Sequence, residues 1–344
     1  MKRLPKRSQR ARPVSLVTGG AGFIGRHVAA ECLAMGHRVV VLDDLSGGFR
    51  SNVPAGTTFV RGSILDRKLL ARLFSRHRFD YVYHLAAYAA EGLSHFIRRY
   101  NYDINVLGSM NLINECVRHR VRCLVFTSSI AVYGPGQLPM REDQTPEPED
   151  PYGIAKYAVE LDLRAARRLF GLDFIVFRPH NVYGEHQNLA DPHRNVVGIF
   201  IRQALQGKPL TLFGDGRQTR AFSHVDDVAP HIARSVLNPR ARGRVFNIGA
   251  GRPVEVRELA KLIEENLGRK IRRKHLPARQ EVQHAYASHR LAEKLLGAKP
   301  KIPIGEGLER MVRWAKQTRI PAPKKFQGLE LKQGLPDIWK TSTR

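Results

Sequence analysis

The 344-residue chain has only three cysteines, Cys32, Cys116 and Cys123. Their spacing matches no metal-ligand pattern, so they read as reduced core fillers and no metal is expected. Long apolar runs are absent too: nothing approaches the ~20 residues of a membrane helix, so no membrane partner is expected. Acidic residues are scarce, 31 Asp and Glu against 57 Lys and Arg, which leaves a net charge of +26. The basic residues gather at 2–12 and at 269–274, the latter after a helical stretch at 254–267. They make either a solvated basic face or one that binds polyanions without sequence selectivity, an attraction that salt would weaken steeply. An aromatic RNA-reading motif and a Cys/His finger are both missing, which argues against a nucleic-acid-reading module. The basic start runs into a strand instead of a signal-peptide apolar core, which makes a cytoplasmic location the expectation.

What is present is 42% apolar residues, enough for one large or two closely joined domains. The pattern alternates strands near 14–18, 38–42, 57–60, 81–85, 122–127 and 173–178 with helices near 23–35, 66–77, 95–119 and 152–170. Such alternation predicts an α/β fold with a doubly wound parallel sheet. Beyond Arg178 the elements shorten between loops rich in Gly, Pro, Asn and His, as expected of a smaller substrate-binding domain. The expected organisation is a basic tail at 1–12, a sheet domain at 13–178, a second domain mainly at 179–317, and a tail at 318–344. Extended segments at 222–228 and 245–248 are expected to return to the sheet.

The first chemical signal is TGGAGFIG at 18–25, between an apolar strand and a helix. Gly20, Gly22 and Gly25 give GxGxxG, whose glycines allow a tight turn, close approach to a pyrophosphate and helix-on-strand packing. The helix N-terminus then faces the phosphates. Asp43 ends the second strand 18 residues past Gly25, near the spacing of a ribose-binding acid, and no arginine follows it at once, so NAD is favoured over NADP. A tight strand-to-helix turn without ligand is the alternative at this level. The second signal is FTSSIAVYG at 126–134, running off a strand end, followed by YGIAK at 152–156. Tyr152 and Lys156, four apart, share a helix face, and a nearby cation favours the phenolate of a tyrosine whose ordinary pKa is about 10. Ser129 is placed to orient a substrate alcohol.

These motifs, with VVVLDDLSGG at 39–48, HLAA at 84–87, RPHNVYG at 178–184, GDGRQTRAFSHVDDV at 214–228 and FNIGAG at 246–251, resemble the extended short-chain dehydrogenase/reductases. The chain is most similar to their nucleotide-sugar epimerase and dehydratase branch, and within it to UDP-hexose 4-epimerases, over roughly residues 14–315. The resemblance implies a Rossmann domain with a smaller C-terminal substrate domain, NAD as cofactor, a UDP-sugar substrate and a homodimer built on helices near 95–119 and 152–170. It implies that Tyr152 takes the proton from the sugar O4, Ser129 hydrogen-bonds that oxygen, and Lys156 binds the nicotinamide ribose and lowers the tyrosine pKa. Around the cofactor it places Gly19, Gly22, Phe23, Ile24, Gly25, Asp43, Ser63, Ile64, Leu85, Ala86, Ala87, Asn105, Tyr152 and Lys156. Around the substrate it places Ser129, Tyr152, Asn181, Asn195, Arg220 and Arg279.

The departures matter. Ser63 stands where relatives carry an aspartate that reaches adenine, and Ala221 where they carry an aspartate after the arginine. His180, Glu185, His186 and His193 enrich the substrate loop; satisfying loop backbone is the plainer role for them, reading a sugar carboxylate or acetamido group the other. The Asp-Glu pair of 4,6-dehydratases, the cysteine of 3,5-epimerases and the glutamate of decarboxylating relatives are unmatched around Ser128-Ser129-Ile130. What remains is 4-epimerisation of a hexose, its N-acetyl form or a uronate, with small Ala285 hinting at room for a bulky C2 group. The alternatives are a 3,5-epimerase or dehydratase of the same family, or a noncatalytic NAD-binding protein with a polyanion-binding face.

Overall fold

A computed structural model describes residues 12–192, 195–278, 282–321 and 328–336. In chain order the first half comprises β1 (Val14–Thr18), α1 (Phe23–Ala34), β2 (Arg38–Asp43), β3 (Thr58–Arg61), α2 (Arg67–His77), β4 (Tyr81–His84), α3 (Glu91–Ser94), α4 (Arg98–Tyr102), α5 (Gly108–Arg118), β5 (Cys123–Thr127), α6 (Pro151–Phe170) and β6 (Phe174–Pro179). The second half adds β7 (Val182–Tyr183), α7 (Val196–Leu205), β8 (Leu210–Phe213), β9 (Thr219–Ala221), β10 (Ser223–His224), α8 (Ala229–Arg234), β11 (Arg244–Ile248), β12 (Pro253–Glu255), α9 (Val256–Leu267), β13 (Arg273–Leu276), β14 (His284–Ala285), α10 (Arg290–Leu296) and α11 (Ile304–Gln317).

Seven parallel strands form the central sheet in the order β11-β6-β5-β4-β1-β2-β3. This is the expected Rossmann order with one strand added at the β6 edge. The central strands β1, β4, β5 and β6 are buried throughout, and side chains along the sheet alternate between two cores. Val17, Val39 and Val41 pack with α1 and α8 on one side. Leu16, Val40, Leu42 and Val82 pack with α2, α5 and α6 on the other. The order reverses between β1 and β4, so the crevice of an open α/β sheet lies at their C-terminal ends.

A third core, with Phe200, Leu210, Leu259 and Met311 at its centre, joins α7, α9 and α11 in the second lobe. Among the described helices none is long and apolar enough to cross a membrane.

Three expectations are corrected. The single helix expected at 95–119 is broken into α4, a π-helical turn at Asp103–Leu107 and α5. Of the two segments expected back in the sheet, only β11 joins it; β10 pairs instead with β7, and the chain then turns into α8, which packs on α1. Finally, 318–344 is not wholly a tail, because residues 328–336 dock on the loop and helices at 90–100.

Candidate active site

Between the lobes lies one continuous cleft of about 2410 Å³, well above the size of an ordinary single-ligand pocket. Its floor starts where β1 ends. Gly19 takes the left-handed conformation, φ +72°, and a Cβ there would stand 2.7 Å from the backbone nitrogen of Ala86. The tight turn expected of Gly20 therefore falls on Gly19, while Gly20 packs against Val41. A Cβ on Gly25 would meet the Gly19 carbonyl at 2.1 Å, so helix α1 can approach the turn only with glycine there. Gly22 caps α1 without a side-chain hydrogen bond, and the first turn of α1 carries no acid. Its free N–H groups and positive dipole end suit a pyrophosphate.

Asp43, nearly buried at the end of β2, accepts from Ala21 N–H at 3.0 Å and from Leu45 N–H at 2.8 Å. The carboxylate is thereby fixed against the cleft, and a carboxylate there is an acceptor suited to ribose hydroxyls. Phe23, Ile24, Ser63, Ile64, Leu85, Ala86 and Ala87 also line the cleft. These residues fit a dinucleotide: a glycine cradle that side chains would fill, an uncapped helix end, an anchored acid and, on the same wall, a buried Thr127 hydroxyl that has no partner among the described residues.

Asn105 is not among the lining residues. Its Oδ1 accepts from Tyr88 N–H at 2.9 Å and its amide donates to the Tyr88 carbonyl at 3.1 Å and to Asn101 Oδ1 at 2.7 Å. It supports the wall from behind. A second support runs beside it. Ala86 N–H donates to Thr18 Oγ1, which lies 2.9 Å from His84 Nδ1; His84 Nε2 lies 2.8 Å from Ser109 Oγ, which donates to the Asn105 carbonyl. With the Ser109 proton committed to Asn105, the chain closes when His84 donates through Nε2 and accepts through Nδ1. Burial, and then Lys156, pushes the His84 pKa down to about 3, so it stays neutral.

The chemical centre sits where β5 and α6 meet. Asp150 caps α6 by accepting from Gly153 N–H at 2.9 Å, and Pro151 occupies the first turn. Tyr152 follows immediately, its N–H donating to Ser94 Oγ at 3.3 Å. One turn on, the Lys156 Nζ lies 5.7 Å from the Tyr152 ring centre and 4.8 Å from that of Phe126, and donates to the Thr127 carbonyl at 2.9 Å. Burial pulls the Lys156 pKa down to about 7, against the nearby Glu160, which raises it. Ser129, partly exposed at the end of β5, accepts from Ala131 N–H at 3.1 Å and lines the cleft with Tyr152 and Lys156.

Glu160 went unnoticed in the sequence. It is fully buried, accepts from Ser128 Oγ at 2.6 Å, and receives Arg178 Nε at 2.9 Å and Nη2 at 2.6 Å. Burial works against the Arg178 charge, but Glu160 outweighs it and raises the pKa above the ordinary value. The signal that could have found Glu160 is its spacing, four residues past Lys156 on the same helix.

The second lobe supplies the far wall. Asn181, Asn195 and Arg220 all line the cleft; Arg279 lies outside the described residues. Asn181 adopts φ +42°, a conformation that asparagine tolerates better than most residues. The Asn195 side chain is held at both ends, accepting from Val197 N–H at 2.9 Å and donating to the Val182 carbonyl at 2.9 Å, so it caps α7. Arg220 Nη1 donates to the Thr219 and Gln283 carbonyls at 2.9 and 3.0 Å. The loop residues divide as chain ties: Glu185 pairs with His224 at 3.1 Å and Arg310 at 3.0 Å, and His180 bonds Ala221 and His289. His193 lies outside the described residues. Among the described residues no group of acids, histidines and cysteines is arranged to hold a metal.

A family model described as "NAD dependent epimerase/dehydratase family" matches residues 15–249. A UDP-glucose 4-epimerase of Mycolicibacterium smegmatis is 35% identical over 308 residues, covering 87% of this chain and 97% of that protein. The crystal structure of a Thermotoga maritima UDP-glucose 4-epimerase with UDP-glucose superposes with a TM-score of 0.84 at 35% identity, over 88% of this chain and 99% of that one. A Thermus thermophilus UDP-glucose 4-epimerase in complex with NAD gives 0.82 at 33% identity, over 88% and 99%.

Proposed function

The chain belongs to the NAD dependent epimerase/dehydratase family, and from that premise we propose that it inverts C4 of a UDP-hexose. The observation that carries the reading is that Ser129, Tyr152 and Lys156 line the same cleft as Gly19, Gly22 and Gly25, with the Lys156 Nζ 5.7 Å from the Tyr152 ring centre. Gly19, Gly22 and Gly25 with the N-terminus of α1 hold the pyrophosphate of NAD, and Asp43 holds its adenosine ribose. NAD, when bound, supplies the acceptor and donor of hydride at C4. Tyr152 as phenolate takes the O4 proton, and Ser129 donates a hydrogen bond to the same oxygen. Lys156, when protonated, favours that phenolate and reaches the nicotinamide ribose. Arg220 and Asn181 face the diphosphate half, for which arginine's planar fork is suited. The chemistry needs C4 to be presented to the cofactor on either face, which a cleft of this size permits.

The test is proton NMR in deuterated water with UDP-glucose, UDP-N-acetylglucosamine and UDP-glucuronate. The expected result is a 4-epimer without carbon-bound deuterium. Tyr152→Phe is expected to retain NAD and lose about 10²–10⁴-fold in rate, the usual range for a positioned acid–base group. Deuterium at C3 or C5 would sink the reading in favour of enolisation.

We also propose a homodimer through α5 and α6. These helices pack side by side, and Ile154 and Leu161 on α6, with Leu107 just before α5, are 40%, 46% and 55% exposed.

A further inference from the structure

The segment 328–336 lies beyond the residues that the family model matches, yet it reaches the cleft. Glu330 clamps it: the carboxylate accepts from Arg99 N–H and Tyr100 N–H, both at 2.8 Å. The Glu330 and Leu331 N–H groups donate to the Phe96 carbonyl at 2.9 and 3.2 Å. Leu335, only 5% exposed, packs into a cluster with Ala90, Leu93 and Ile97. Gly334, Leu335 and Pro336 then line the cleft itself.

Position identifies which end they line. Leu93 precedes Ser94, whose hydroxyl receives the backbone N–H of Tyr152. The docked segment thus packs on α3, the short helix that touches the Tyr152 backbone, and so stands at the tyrosine's end of the cleft. The surface it adds is apolar, and Phe96 beneath it also lines the cleft. A neutral hexose can be seated against such a wall by shape, whereas a uronate would bury its carboxylate there, which is costly without a paired cation.

We propose that residues 328–336 form a selecting wall at the sugar end of the cleft, holding the enzyme to neutral UDP-hexoses and against UDP-uronates. This rests on the 4-epimerase reading above. The test compares kcat/KM for UDP-glucose and UDP-glucuronate in the full chain, in a chain ending at Pro321, and in Glu330→Ala/Leu335→Ala, which weakens the clamp should the truncated chain fold poorly. The full chain is expected to prefer UDP-glucose, and either variant to lower that preference about tenfold or more, the scale of pocket-wall discrimination, with NAD content unchanged. An unchanged ratio in both variants, even with a lower Tm, overturns the wall and leaves a packing role. So does a full chain that turns over both sugars equally well. A full chain that turns over neither sugar defeats the 4-epimerase reading and the wall with it, an outcome distinct from active chains with an unchanged ratio.

Discussion

At Glu160 one carboxylate serves three neighbours. Ser128 orients it, Arg178 takes both its oxygens, and Lys156 feels its charge one turn away. The guanidinium lies over the Tyr133 ring, 4.6 Å from its centre, and Tyr133 donates to Asn247 Oδ1 at 2.9 Å, so the carboxylate anchors a buried chain behind the strand end that carries Ser129. Glu160→Gln leaves Arg178 without its countercharge; breaking a buried pair costs about 3–5 kcal/mol, so a clear drop in Tm is expected by calorimetry. The same change removes the charge that raises Lys156. The pKa of Lys156 then falls further, its protonated form is lost at lower pH, and the alkaline limb of the pH–rate profile moves down. An unmoved limb would detach Glu160 from the site. Tyr152, Lys156 and Asp43 were legible in the sequence because short spacings fix them, whereas the Glu160–Arg178 pair was not: α6 and β6 bring its members together across the protein interior.

Helix α6 does several jobs along its 20 residues. Asp150 and Pro151 start it, Gly171 in the left-handed conformation ends it, and between them one face presents Tyr152, Lys156 and Glu160 to cleft and core. A Cβ on Gly153 would stand 2.5 Å from the Ala131 carbonyl, which shows how closely the first turn is seated on the strand end holding Ser129. The opposite face leaves Ile154 and Leu161, two turns apart, in solvent. Leu161→Arg is expected to weaken self-association about 100-fold by burying an unpaired charge, seen in light scattering as a shift from twice the 38.9 kDa chain toward one. A monomer at all concentrations in the unaltered chain would dismiss the dimer. The apolar period of 152–170 made α6 legible. The break in the helix expected at 95–119 was not, because the π-helical turn around Asn105 answers to partners outside the helix, Tyr88 among them.

Over the whole molecule, acid should act through buried histidines. Burial holds His84, His180 and His289 at about 3, 4 and 3, with Lys156 adding to the effect on His84 and His180 to that on His289. In the unfolded chain they titrate near 6.5, so the folded state keeps its full advantage above that pH. Below it, unfolding takes up protons, and stability falls toward pH 4 by about 1.4 kcal/mol per pH unit for each such histidine. Thermal unfolding at pH 7.0 and 5.5 should therefore show a marked fall in Tm, lessened in His289→Gln; a flat Tm would refute it. Glu185 adds to the loss at lower pH: burial opposes its charge, but His224 and Arg310 hold it at about 2. His180 and His289 illustrate why composition alone could not foresee this, since they are 109 positions apart and meet at 2.9 Å only in the fold. Local periods and spacings carry the α/β class, the glycine-rich turn, the acid at the end of β2 and the Tyr–Lys pair on one helix face. The docking of 328–336, the buried pairs behind the site and the turn made by Gly19 instead of Gly20 were decided by tertiary structure. There, burial and long-range hydrogen bonds set the conformation, and no local pattern encodes the partner.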